Sequence, residues 1–173
     1  EEGAVSIEGL RHELPKPFWV LATQNPLQQS GTYPLPESQL DRFLMRLSMG
    51  YPSAEAERAL LKGEDRREML SHSAAILESE TILQLQQLRE QVILSEHILD
   101  YLQALAAWTR SKVMGLSTRG LLALKRAAQA YAIVEGRHYV IHEDVQAVFA
   151  VVVAHRIHLS EIEVQHALKT IPI

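Results

Sequence analysis

Asn25 is the first of three polar residues whose positions suit chemistry on a phosphate group. It follows Phe18 to Thr23, six uncharged and mostly apolar residues that predict a strand buried on both faces. In open α/β sheets, ligands bind where such strands end. The neutral amide of Asn25 both donates and accepts hydrogen bonds, as is needed to hold an attacking water against a terminal phosphate. The alternative is an asparagine that satisfies the turn before Pro26.

Arg42 is the second candidate, at the end of a segment from Glu37 that predicts one or two helical turns. A planar, permanently charged guanidinium pairs with phosphate oxygens and stabilises charge that develops on a transferred phosphoryl group. The alternative is a surface ion pair with Asp41 or Glu37. Arg46, in the next predicted strand, is a weaker candidate for the same role.

Arg119 is the third candidate, because it falls in the first turn of a predicted helix that Ser117 caps. The backbone N–H groups at a helix N-terminus favour anions, and an arginine there is mildly unfavourable in a purely structural role. The sequence therefore leaves two interpretations open for Arg119, which are anion binding and a solvated side chain.

The sequence predicts no metal centre. His155 and His158 are spaced so that both could reach one metal from a helix, but no third ligand is nearby, and zinc normally takes at least three protein ligands. We therefore expect a packed or capping histidine pair. Glu143 and Asp144 are expected to be carboxylates at a helix start, where the dipole favours them, and not catalytic acids.

Strands and loops are predicted for residues 1–52. Val5 to Leu14 alternate around Gly9, which indicates a β-hairpin. Residues 26–36 hold four prolines or glycines, which favours an ordered loop. Phe43, Met45 and Leu47 occupy alternate positions in residues 43–48, which predicts a second strand of the sheet. This part is expected to be an α/β fragment taken from a parallel sheet.

Helices are predicted for residues 53–173, which should form an all-α bundle and make the chain mainly α overall. On the helix after Ser117, Tyr131 is expected to face inward and Gln129 outward. Residues 63–80 predict a solvated loop. The predicted helices run from Ser53 to about Lys62, from Thr81 to Val92, from a cap at Ser95, from Ser117 to Gly136, and, as the last long one, from His142 through His155.

Composition narrows the class of protein. With 173 residues, 47% of them hydrophobic, the chain can bury a substantial core without a disulfide or metal. The absence of cysteine is compatible with the cytoplasm, which is the expected location. A net charge of −4 and a pI near 6.1 make nucleic acid an unlikely partner. No apolar run approaches the roughly 20 residues of a membrane span.

Several sequence strings together resemble the MoxR branch of the AAA+ ATPases. They are Thr-Gln-Asn-Pro at residues 23–26, Tyr-Pro-Leu-Pro-Glu at 33–37, Leu-Asp-Arg-Phe at 40–43 and Gly-Leu-Ser-Thr-Arg at 115–119. The resemblance implies that Asn25 is the sensor 1 residue, that Arg42 is the arginine finger offered to a neighbouring subunit, and that Arg119 is sensor 2. It also implies the C-terminal part of a P-loop AAA+ core, residues 1–52, followed by a helical lid, residues 53–173.

The same resemblance sets expectations for the whole protein. It implies ATP hydrolysis with Mg²⁺ in a ring, expected to be a hexamer, and a chaperone-like role beside clients such as von Willebrand A domain proteins. No phosphate-binding loop of the Gly-x-x-x-x-Gly-Lys-Ser/Thr type is present, so ATP and Mg²⁺ should be bound mainly by a preceding segment, and this chain alone should be inactive. The family usually has proline at the position of Thr118 and Thr-Pro at Ile141-His142, so the helix after Ile141 is expected to fray or shift.

Two rival functions remain. One is a non-enzymatic module that binds a partner through the helices of residues 53–173. The other is a DNA-dependent AAA+ motor, which would show nucleic-acid stimulation with a steep salt dependence. The acidic pI and the hairpin residues Glu8, Arg11 and His12, which do not form a basic tip, speak against the motor.

Overall fold

The computed structural model describes residues 3–24, 35–63, 70–112, 114–168 and 171. Within these ranges a short hairpin comes first and helices follow, so the predicted mainly-α class is confirmed. The elements are β1 (Ala4–Ile7), β2 (Leu10–Glu13), α1 (Glu37–Leu40), α2 (Ala54–Leu61), α3 (Ser79–Glu90), α4 (Glu96–Arg110), α5 (Thr118–Val134), α6 (His142–Ile157) and α7 (Glu161–Leu168). None of the described helices is both long and apolar enough to cross a membrane.

The predicted hairpin is confirmed. Strands β1 and β2 pair antiparallel, with Ala4 opposite Glu13 and Ile7 opposite Leu10. Glu8 and Gly9 form the two-residue turn, and their φ angles of 53° and 82° are both positive. Such turns match the right-handed twist of the paired strands, and glycine adopts the second position without steric cost.

The two predicted core strands are wrong. Residues 18–23 and 43–48 form no strand, and the side chain of Leu21 is 94% exposed. A strand that is buried on both faces needs hydrogen-bonded neighbours, and the sole sheet in the described ranges is the two-stranded hairpin. The apolar pattern of both segments therefore has no sheet to join. The division at residues 52 and 53 stays a prediction.

Serine caps fix the starts of three helices, as predicted. The hydroxyl oxygens of Ser53, Ser95 and Ser117 accept hydrogen bonds from backbone N–H groups three residues later. Gly136, with a φ of 72°, follows the end of α5, also as predicted. Helix α3 begins at Ser79, two residues before the predicted start. Part of the predicted loop at 63–80 lies outside the described residues.

Helices α4 to α7 enclose the hydrophobic core. Helix α6 lies at its centre, packed against α4, α5 and α7. The connections before α4 and before α6 are joined by backbone hydrogen bonds between Ile93 and residues 138 and 140, each 3.0 Å long. The most buried large side chains are Leu105, Leu124, Val145, Phe149, Val152, Val153 and Val164.

Three details of the bundle differ from expectation. Gln129 is buried and not outward, because its Nε2 donates to the carbonyl oxygen of Val92 at 3.0 Å, whereas Tyr131 is 36% exposed. Helix α6 is the predicted last long helix, but the eight-residue α7, which the sequence did not predict, follows it. The start of α7 has a capping box. The hydroxyl of Ser160 accepts a hydrogen bond from the backbone N–H of Glu163, and the carboxylate of Glu163 accepts one from the backbone N–H of Ser160.

Candidate functional site

The carboxylate of Asp41 lies at the centre of the best-defined polar cluster in the described ranges. The hydroxyl of Ser117 lies 3.0 Å from both carboxylate oxygens and donates to them. Nε of Arg156 donates to Oδ1 at 3.1 Å, and Nη1 of Arg119 lies 3.6 Å from Oδ2. The cluster therefore joins the α1 segment to the start of α5 and to the end of α6.

Helix α1 delivers Asp41 to this cluster through one tight turn. The N–H of Asp41 donates to the carbonyl of Glu37 at 2.9 Å, and the N–H of Arg42 donates to that of Gln39 at 3.1 Å. The turn brings the Asp41 side chain against the bundle, where it is 20% exposed. The next residue, Arg42, is exposed. An anchored aspartate thus stands directly before an exposed arginine.

Arg156, near the end of α6, binds the residues that follow α1. Its side chain is 3% exposed, and besides Asp41 it donates to the backbone carbonyls of Asp41, Phe43, Leu44 and Val152. Burial lowers the pKa of Arg156, and the negative charge of Asp41 opposes this effect. The group stays protonated because arginine titrates far above neutral pH.

His155 is a packed histidine, which confirms one part of the prediction for the histidine pair. Its Nε2 lies 3.3 Å from the carbonyl oxygen of Phe43, and the residue is 4% exposed. Burial, and next the positive charge of Arg156, lower the pKa of His155 to about 4, so the ring is neutral at pH 7. His158 ends α6 in a left-handed conformation and lies 3.2 Å from the carboxylate of Glu37. The described residues contain no group of three or more side chains arranged to hold a metal.

Arg119 is placed by the cap of α5. The hydroxyl of Ser117 accepts from the N–H of Gly120 at 2.9 Å while it donates to Asp41, so one hydroxyl fixes both the helix start and the carboxylate. The side chain of Arg119 is 47% exposed. Gly120 is required here because a Cβ would lie 2.5 Å from Leu116 Cδ1 and 3.0 Å from Arg156 Cδ. The helix start therefore lies directly against the buried arginine.

The structure brings two of the three predicted site residues into one neighbourhood. Arg42 follows Asp41 in the chain, and Arg119 contacts the Asp41 carboxylate. Asn25 lies outside the described residues. Arg46 is exposed, and its backbone N–H donates to the carbonyl of Val151 at 2.9 Å.

Sequence reasoning missed the roles of Asp41 and Arg156. Asp41 and Glu37 were considered only as partners of Arg42, but Asp41 also forms an ion pair with Arg156 and Glu37 lies 3.2 Å from the ring of His158. A signal for Arg156 was present, since it follows the apolar run of residues 151–154 in a helix predicted to be buried. A cation in such a helix requires a buried partner.

Asp144 is a structural carboxylate at a helix start, as predicted. Burial opposes its ionisation, but the hydrogen bond from Arg137 and the N–H of Ile141 outweigh burial, and the net effect lowers the pKa of Asp144. The contact from Ile141 N to the carboxylate is 2.9 Å. Because Asp144 caps the helix in place of Ile141, α6 begins at His142, without the shift in its start that the sequence led us to expect.

The chain is similar to known proteins in sequence and in fold. Residues 1–45 match the ATPase family associated with various cellular activities (AAA), and residues 109–171 match the AAA lid domain family. The chain is 40% identical to YeaC of Bacillus subtilis and 36% identical to the chaperone MoxR1 of Mycobacterium tuberculosis, and each alignment covers 92% of the chain. The crystal structure of a Cytophaga hutchinsonii protein classed as an ATPase superposes on 99% of the chain with a TM-score of 0.83 and 28% identity.

The matched regions define which part of such a protein this is. The chain spans about half the length of its relatives, with 51% of YeaC, 45% of MoxR1 and 58% of the Cytophaga hutchinsonii chain covered. The AAA match comes first and the lid match follows, in the order predicted from the sequence strings. The chain belongs to the MoxR-like AAA+ ATPases and corresponds to the C-terminal part of one.

Proposed function

We propose that the full-length protein hydrolyses ATP in a ring of subunits, with Arg42 acting on the nucleotide of a neighbouring subunit. The observation that carries this proposal is the Asp41 cluster, which fixes the residue before Arg42 while Arg42 itself is exposed. An exposed arginine that follows an anchored residue is suited to stabilising charge on a phosphoryl group bound elsewhere. Asn25 would orient the attacking water, as expected from its place in the sequence.

Arg119 would contact the nucleotide bound by its own subunit. Its position in the first turn of α5 and its exposed side chain suit an anion. Its present partner Asp41 is 3.6 Å away, so phosphate oxygens would compete with that carboxylate for the guanidinium. Binding of nucleotide would thereby couple the lid to the segment that carries Arg42.

Mg²⁺ would be held by residues outside this chain. The described residues supply guanidinium groups suited to phosphate oxygens but no cluster of carboxylates suited to a divalent cation. We therefore expect the isolated chain to show no ATP turnover. We extend the proposal to a hexameric ring, a chaperone-like role on client proteins, von Willebrand A domain proteins among them, and a cytoplasmic location.

Turnover of the full-length protein tests the role of Arg42. Arg42→Ala should lower kcat at least about 1,000-fold, because arginine fingers contribute about 10³–10⁵ in kcat. Nucleotide affinity, measured by fluorescence titration, should change little. Arg58→Ala, which removes an exposed arginine on α2, is the matched control and should leave kcat unchanged. Normal turnover by Arg42→Ala would remove the finger assignment, and turnover by the isolated chain would contradict the expected division of the site.

A further inference from the structure

We propose that Arg156, acting with Asp41, is a positioning residue for the arginine finger, so that the lid of a subunit sets where its own Arg42 points. This inference rests on the proposed function, since it assumes that Arg42 is the finger. It assigns a role to a buried lid residue that lies 115 positions along the chain from its carboxylate partner.

The first support is where the guanidinium binds. It donates to the backbone carbonyls of Asp41, Phe43 and Leu44, which lie on both sides of Arg42. These contacts act on the main chain, so they fix the direction in which the backbone presents Arg42. We call Arg156 and these acceptors the arginine clamp.

The second support is that the clamp uses the whole guanidinium. Nε donates to the Asp41 carboxylate, Nη1 to the carbonyls of Leu44 and Val152, and Nη2 to those of Asp41 and Phe43. Each of the three guanidinium nitrogens thus has at least one oxygen acceptor, and Nη1 also lies 3.1 Å from Nε2 of His155. A lysine at this position has three donors on a flexible stem and could not hold the same set.

The third support is that the clamp connects to the helix that carries Arg119. The Cδ of Arg156 lies against Gly120, and Ser117 caps α5 while it donates to Asp41. A rotation of the lid that displaces the start of α5 would therefore displace the segment of Arg42. The geometry makes the finger respond to the lid of its own subunit.

The test is turnover by rings of the full-length protein that mix two kinds of subunit. Arg156→Gln and Arg156→Lys should each lower kcat about 10- to 100-fold with little change in nucleotide affinity, since misplacement of a catalytic group by about 1 Å costs this much. Adding subunits that cannot bind nucleotide but keep both arginines should restore turnover, because their fingers complete the intact sites of the variant. Arg42→Ala subunits should be rescued in the same way.

Arg137→Gln is the matched control, because it removes an arginine–aspartate pair that does not involve the α1 segment, the pair of Arg137 with Asp144. It should leave finger-dependent turnover at the wild-type level. In a background of Arg42→Ala, adding Arg156→Gln should cause no further loss of kcat, since the finger is already absent. A further loss in that background, or an equal loss in Arg137→Gln, would show a general role in lid folding and overturn the proposal.

The outcomes separate this inference from the proposed function. If Arg42→Ala keeps normal turnover, the finger assignment itself fails. If Arg42→Ala is impaired and Arg156→Lys is not, the finger stands and the clamp is refuted. If Arg156→Gln does not assemble, Asp41→Asn replaces it, because this variant keeps the shape of the carboxylate and removes its charge. It should show reduced turnover that mixing restores. Wild-type turnover by Asp41→Asn would refute the clamp.

Discussion

Acidification should destabilise the bundle through His155. The folded protein holds this ring neutral, with a pKa of about 4, against an ordinary value of 6.5. Between these two values the unfolded chain takes up a proton that the folded chain does not, so the free energy of unfolding falls as the pH is lowered. The stabilisation is fully present above about pH 6.5 and is lost progressively toward about pH 4.

The size of this effect follows from the shift in pKa. Each pH unit within the window changes the free energy of unfolding by up to about 1.4 kcal/mol, so lowering the pH from about 7 to about 5 should remove about 2 kcal/mol. The cause is local, because burial of the ring and the neighbouring charge of Arg156 lower the pKa of His155, while the carbonyl of Phe43 opposes them only in part.

Urea denaturation of the chain and of His155→Gln, across that pH range, measures the effect. The glutamine amide does not titrate, so the difference in unfolding free energy between the two proteins should change by about 2 kcal/mol between about pH 7 and about pH 5. Contributions from carboxylates common to both proteins cancel in this difference. His97→Gln, at an exposed position on α4, controls for the loss of a histidine elsewhere. A difference that stays constant with pH would refute the assignment of a neutral, buried ring.

Three further predictions concern single contacts and are measured by chemical denaturation. Ser117→Ala should lower the free energy of unfolding by about 2 kcal/mol and Ser95→Ala by about 1 kcal/mol, because only Ser117 adds a bond to Asp41 to its cap. Equal losses would contradict the shared role of Ser117. Gly120→Ala should cost about 1–3 kcal/mol by forcing buried side chains apart, and an unchanged midpoint would count against that packing. Asp144→Ala should lower the free energy of unfolding by about 1–3 kcal/mol, because it removes the cap of α6. An unchanged free energy of unfolding would contradict this role of Asp144.

The sequence predicted correctly those features that depend on residues close together along the chain. The serine caps, the glycine after α5 and the hairpin turn each act within four residues, and all were predicted correctly. The strands at 18–23 and 43–48 failed because a strand exists only with its hydrogen-bonded neighbours, which the described residues do not supply.

The candidate site was predictable only in part, for the same reason. Arg42 and Arg119 could be chosen from residue type, predicted element and family resemblance. The ion pair between Asp41 and Arg156 joins residues 115 positions apart, and the burial of Gln129 depends on a carbonyl 37 positions away. Contacts of this kind depend on tertiary packing, which no local pattern encodes.

A structure of the full-length ring with a non-hydrolysable ATP analogue would test most directly whether the lid presents the finger. We expect the guanidinium of Arg42 within about 2.7–3.2 Å of the terminal phosphate bound by the adjacent subunit, with Arg156 still bound to the carbonyls around it. An Arg42 that contacts no phosphate, or that reaches one while Arg156 is exposed to solvent, would contradict this view of the molecule.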